Sequence, residues 1–178
     1  MSEPIRQSLK LLLSGYGYNL YDNKNRARAD DLLVREKAAG ALADATTALA
    51  TLRTTYRKRY IPPPTRENPE PPREHVEQLR SLAALQDRLA QLETRIRSMP
   101  VPTQDRVWEH FRREQTLLNQ LLLYDYNLIA PSQDLRDRIQ ELTPESWSDT
   151  LSGELHQAAD QIDRALRTRA EFLSAPGS

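Results

Sequence analysis

The chain has no cysteine among its 178 residues. That excludes disulfides, thiolate metal sites and a cysteine nucleophile, and it fits a reducing cytoplasm. Glycine is sparse, at five residues, and aromatic side chains make up only 6%. Val, Ile and Phe, the usual strand formers, are few, while Leu and Ala dominate the apolar set. This favours helix over sheet. Apolar runs such as Leu11–Leu13 and Leu121–Leu123 fall far short of the roughly 20 residues that cross a bilayer. No long apolar stretch or small-residue cleavage site follows Met1–Arg6, so no signal peptide is expected. Lysine is scarce as well: 4 of the 25 basic residues. This arginine bias has the look of bacterial genome composition rather than of function.

What is present is helical periodicity, in a length that suits one domain over 1–178. A chain of this size buries about 70% of its unfolded surface when compact. Ile5–Leu13 reads as a short first helix, with Ser2 as cap and Pro4 in the first turn. Leu32–Tyr60 follows, with Ala38, Leu42, Ala45, Leu49, Leu52 and Tyr56 stepping by four and three along one seam. Gly40 inside it is expected to mark the close approach of a neighbouring helix. Residues 61–73 hold six prolines and read as a stiff connector. Pro69 to Pro72 matches P-x-x-P in form and is read as a spacer.

A helix over Glu74–Ser98 carries Leu82, Leu85, Leu89, Leu92 and Ile96. The short Pro100–Thr103 link predicts an antiparallel neighbour over 103–129, apolar on more than one face. Such a helix is central or supplies an oligomer interface. Pro131-Ser132 is expected to break it, leaving a short helix to Leu142. Thr143-Pro144-Glu145 reads as a start signal for a last helix over 144–173. Trp147, Leu151, Leu155, Ala158, Ile162, Ala165 and Phe172 lie on or near its apolar face, and 174–178 read as a frayed tail. The expected fold is all-α: an antiparallel bundle of about four long helices with coiled-coil-like seams, one or two short helices, and a proline-rich connector.

Net charge is zero but unevenly spread. Residues 1–60 carry 11 basic and 6 acidic side chains, and residues 103–178 carry 8 and 13. The two ends can attract each other within one bundle, or the basic third can serve an anionic partner.

Several kinds of chemistry are excluded by spacing. Gly15-Tyr16-Gly17 has Leu20 where a dinucleotide loop needs its third glycine, and no Walker lysine follows. Asp30-Asp31 lacks the third carboxylate of a diphosphate–magnesium motif, since position 34 is Val; both acids read as exposed at a helix start. Glu74 and Glu77 form only half of a four-carboxylate site. His75, His110 and His156 have no Glu three residues before them, which a di-iron bundle requires. No cofactor, no metal site and no catalytic set is therefore assigned.

Two stretches interleave cations with tyrosines, as nucleic-acid surfaces do. One is Ser14–Asp31, with Tyr16, Tyr18, Tyr21, Lys24, Arg26 and Arg28. The other is Arg53–Tyr60, with Arg53, Arg57, Lys58 and Arg59. These are the candidate partner-binding residues. Within 14–31, Gly15 and Gly17 read as an elbow. The leading functional reading is a non-enzymatic scaffold or adaptor that self-associates through Leu117–Ile129. One alternative is a module for nucleic acid or an acidic membrane surface, using the basic third. Another is an enzyme with a site built across helices.

Overall fold

Leucine and alanine at steps of three and four wind the described residues into six helices: α1 (Glu3–Leu12), α2 (Ala27–Tyr60), α3 (Arg73–Ser98), α4 (Asp105–Arg113), α5 (Gln115–Gln140) and α6 (Asp149–Ser174). The computed structural model describes residues 3–22, 27–61, 63–66, 70–102 and 105–174, and among these it contains no strand. Among the described residues no helix is long and apolar enough to cross a membrane. Lys24, Arg26, Pro69 and the 175–178 tail, all singled out from the sequence, lie outside the described residues.

The helices pack in a cycle: α2 against α3 and α5, α6 against α3 and α5, with α1 and α4 laid on α5. Side-chain pairs give the directions. Between α2 and α3 the pairs Glu36–Arg97, Arg53–Gln86 and Tyr56–His75 run in opposite senses, so these two helices are antiparallel. Asp125–Arg169 and Arg138–Glu154 make α5 and α6 antiparallel. Between α3 and α6, however, Gln78–Asp149, Ser81–Ser152 and Arg88–Asp160 rise together, so these neighbours are parallel. An antiparallel arrangement thus describes only part of the fold. The expected α3 neighbour over 103–129 is likewise not adjacent; α3 packs on α2 and α6.

Several expected boundaries are corrected. α2 starts at Ala27 rather than Leu32, and Asp30 and Asp31 are buried rather than exposed. The 103–129 stretch is interrupted at Glu114, whose backbone is extended (φ −107°, ψ 100°). α5 then passes through Pro131 without a break. An interior proline costs about 3 kcal/mol. Burying Leu128, Ile129, Leu135 and Ile139 outweighs that, at about 1.5–3 kcal/mol each. The Ser132 hydroxyl donates to the Leu128 carbonyl at 2.7 Å, adding a bond beside the proline. Thr143–Ser146 forms a tight turn, with Ser146 N–H donating to Thr143 O at 3.1 Å. α6 begins instead after Ser148, whose hydroxyl accepts the Leu151 N–H at 3.3 Å.

Gly40 does not mark a close helix contact. A Cβ built there meets nothing within 4 Å, because the position borders a surface recess of about 270 Å³ beside Tyr16 and Lys37.

Candidate functional site

Asp31 of α2, Asp125 of α5 and Arg169 of α6 each stand on the buried face of their helix, and they meet in the core. Arg169 is fully buried; its Nε donates to Asp125 Oδ1 and its Nη2 to Asp31 Oδ1, both at 2.7 Å. Arg35 Nε lies 3.1 Å from Asp31 Oδ2, and Arg35 Nη1 donates to the Met99 carbonyl at 2.6 Å. Two cations therefore face two carboxylates. The segment before α2 closes this layer: the Tyr21 hydroxyl donates to Asp125 Oδ2 at 2.8 Å and the Tyr18 hydroxyl at 3.3 Å. Tyr21 also stacks on Trp108, with ring centroids 5.6 Å apart.

The backbone of this segment is shaped for that closure. Gly15 and Gly17 have φ of 84° and 75°, forming the expected elbow. Leu20 and Tyr21 also have positive φ, at 53° and 61°, a conformation costing about 1–3 kcal/mol per residue for non-glycine types. Asp30 holds them in place: its carboxylate accepts the N–H groups of Asn19 at 3.1 Å and Tyr21 at 2.8 Å. The chain wraps the carboxylate as backbone nests wrap anions.

Burial dominates the electrostatics here. It pushes the Tyr18 and Tyr21 phenols well above their ordinary pKa, with nearby Asp125 adding to the rise. It also pushes the Asp125 carboxyl up, against the pull of Arg169. Burial works against the Arg169 charge, but Asp125, Tyr21 and Asp31 more than offset it and raise its pKa well above the ordinary value. Arg169 stays cationic. Arg169, Asp125 and Tyr21 are fully buried and Asp31 nearly so, so the layer ties α2, α5 and α6 together inside the core.

The other tyrosine–cation stretch sits in different surroundings. The C-terminal turns of α2 and the N-terminal turns of α3 flank a cleft of about 1040 Å³. Arg53, Arg57 and Lys58 of α2 and Arg80 of α3 line it, and among the described residues no acidic one does. Its apolar lining is Val76, Leu79 and Ala83 of α3, with Ile61, Pro63 and Pro64 from the connector. Among the described residues none of those four cations is in an ion pair; Arg53 Nη1 donates to the neutral Gln86 at 3.0 Å. The two flanks are pinned together: the Tyr56 hydroxyl lies 2.9 Å from His75 Nδ1, and His75 stacks on Tyr60 at 4.6 Å.

The candidate residues thus divide. Tyr21 is buried, and Tyr18 faces Asp125. Tyr16 is 57% exposed, with Lys37 Nζ 5.0 Å from its ring centre. Arg28 is exposed in the first turn of α2. Arg59 turns away from the cleft to pair with Glu145 at 2.7 Å. Arg53, Arg57 and Lys58 share the cleft, joined by Arg80, which the sequence reading did not single out. It also missed Asp125 and Arg169. Trp108 and Trp147 are both core residues. The apolar residues of α5 offered to a second copy, among them Leu118, Leu121, Leu122, Leu128 and Ile129, are buried within the chain itself. No protein-family model, no curated protein and no solved structure matches the chain.

Proposed function

We propose that the protein is a non-enzymatic, cytoplasmic helical adaptor that binds an anionic macromolecular partner in the cleft between α2 and α3. One observation carries this: four cations line an open, apolar-floored cleft, and no acid is among its described lining residues. Several cations elsewhere on α2 and α3 are matched by acids, as in Arg97 with Glu36 and Glu93 or Arg88 with Asp160. The four cleft cations are exposed beside apolar surface and, among the described residues, in no ion pair; an incoming anion supplies them with charge-assisted partners. In this reading α2, α3, α5 and α6 are the rods of the bundle, and Pro63 and Pro64 of the connector close one side of the cleft. Self-association through α5 is not needed for it, since Leu118, Leu121, Leu122, Leu128 and Ile129 are buried within the chain.

The test is retention on immobilised polyglutamate. The protein should be held at low salt and released steeply as ionic strength rises. The variant R53E/R57E/K58E should pass through with an unchanged far-ultraviolet circular dichroism spectrum, because all three side chains are exposed. Equal retention of the variant would remove the cleft from consideration.

A further inference from the structure

We infer that the occupant of this cleft is an acidic, amphipathic α-helix of a partner protein. The inference rests on the reading of the cleft as an anionic-partner site and names the partner's chemistry. Val76, Leu79 and Ala83 are half-buried and step by three and four along α3. They form an apolar stripe beside the buried seam of Leu82, Leu85 and Leu89. A second apolar helix face is the natural complement of such a stripe. From Arg53 to Ile61, α2 advances about 12 Å, and Val76 to Ala83 on α3 about 10 Å; two turns of helix rise about 11 Å. Arg53 and Arg57 lie one turn apart on one wall, with Arg80 on the other. Glutamates flanking the apolar face of a docked helix reach both walls.

Other occupants fit less well. An extended peptide needs backbone partners, and the described residues offer no strand edge; a helix satisfies its own backbone groups. Single-stranded nucleic acid gains affinity by stacking bases on aromatic rings, and no aromatic residue lines the cleft. A bilayer is met by a protruding apolar face flanked by cations, whereas here the apolar residues form the floor of a recess.

The experiment measures fluorescence anisotropy of synthetic peptides with the full chain. The probe is a labelled peptide of about 15 residues, long enough to hold a helix. Leucines stand at i, i+3, i+4 and i+7, and glutamates flank them. Comparison probes are a scrambled peptide of the same composition, a lysine-flanked peptide with the same leucine face, a single-stranded oligonucleotide and phosphatidylserine vesicles. The acidic amphipathic peptide should bind roughly tenfold or more tightly than the scrambled one. V76D in the floor and R57E/K58E in the wall should each weaken it by a similar factor, and R57E/K58E should gain affinity for the lysine-flanked peptide. Because R57E/K58E changes only exposed residues, the swap reads out even where V76D disturbs α3. Scrambled and patterned peptides binding alike overturns the helix inference and leaves the anionic-partner reading standing. Tighter binding of oligonucleotide or vesicles, lost in R57E/K58E, overturns it in favour of that polyanion. No binding of any anionic probe removes both.

Discussion

Arg169 joins the three helices that surround it. It is fully buried and bonds to carboxylates from α2 and α5 while belonging to α6. Arg169→Met keeps apolar bulk but leaves buried Asp125 without its cation and Asp31 with Arg35 alone. The expected loss is about 3–5 kcal/mol, read as a lower urea midpoint. A variant as stable as the parent would mean that the layer contributes only shape. Tyr21→Phe removes one hydroxyl donated to Asp125 and should cost about 1.5–3 kcal/mol near neutral pH. It should also change the alkaline limb. The folded-state pKa values of Tyr18 and Tyr21 are raised, first by burial and then by Asp125. Their contribution is therefore complete below the unfolded phenol value of about 10. It is lost as pH rises from there through the higher folded values, because the unfolded chain releases those protons first. Urea midpoints measured up to and beyond that range should fall less steeply in Tyr21→Phe than in the parent; parallel curves would contradict the assignment. The sequence does contain a signal for these residues. On α6 the steps Leu155, Ala159, Ile162, Leu166, Arg169, Leu173 keep the helical rhythm with a charge in it. Asp31 in α2 and Asp125 in α5 hold the same kind of position. A search restricted to apolar residues passes over them, since charge on a seam looks like surface until its partners from other helices are known.

The helices differ in how well local chemistry foretells them. α3 is bounded by prolines and seamed with leucine, and its predicted and observed extents agree to one residue. α5 and α6 are harder, because tertiary burial overrides Pro131 and because Thr143-Pro144-Glu145 suits a turn as well as a helix start. Gly40→Ala separates propensity from packing. The added methyl meets open space and removes glycine's entropic cost, so α2 should gain about 0.5–1 kcal/mol, measured as a raised melting temperature. A loss would mean that the recess beside Tyr16 must stay open. Ser148→Ala should cost about 1 kcal/mol by removing the hydroxyl that accepts the Leu151 N–H, the usual worth of an N-cap. Thr143→Ala should leave the helical signal of α6 intact; reversed effects would return the start of α6 to Thr143.

On the scale of the whole molecule, the all-helical class follows from composition and rhythm, while the parallel α3–α6 pair does not. Direction depends on which long helices become neighbours, and only partners far apart in sequence reveal that. The charge asymmetry between the ends of the chain is met in part inside the molecule by Arg59 with Glu145, while Asp31 with Arg169 joins the same two regions with the charges reversed. The cleft cations remain apart from that matching. The long reach of the buried layer also bears on folding kinetics. Asp31 and Asp125 precede their cation by 138 and 44 residues. During N-to-C synthesis both carboxylates emerge long before this guanidinium; Asp31 has Arg35 beside it, whereas Asp125 waits for Arg169. Until then Asp125 must stay hydrated or protonated, so α5 cannot settle dry at that level. Completion of this layer is therefore a late event whose rate is set by long-range closure.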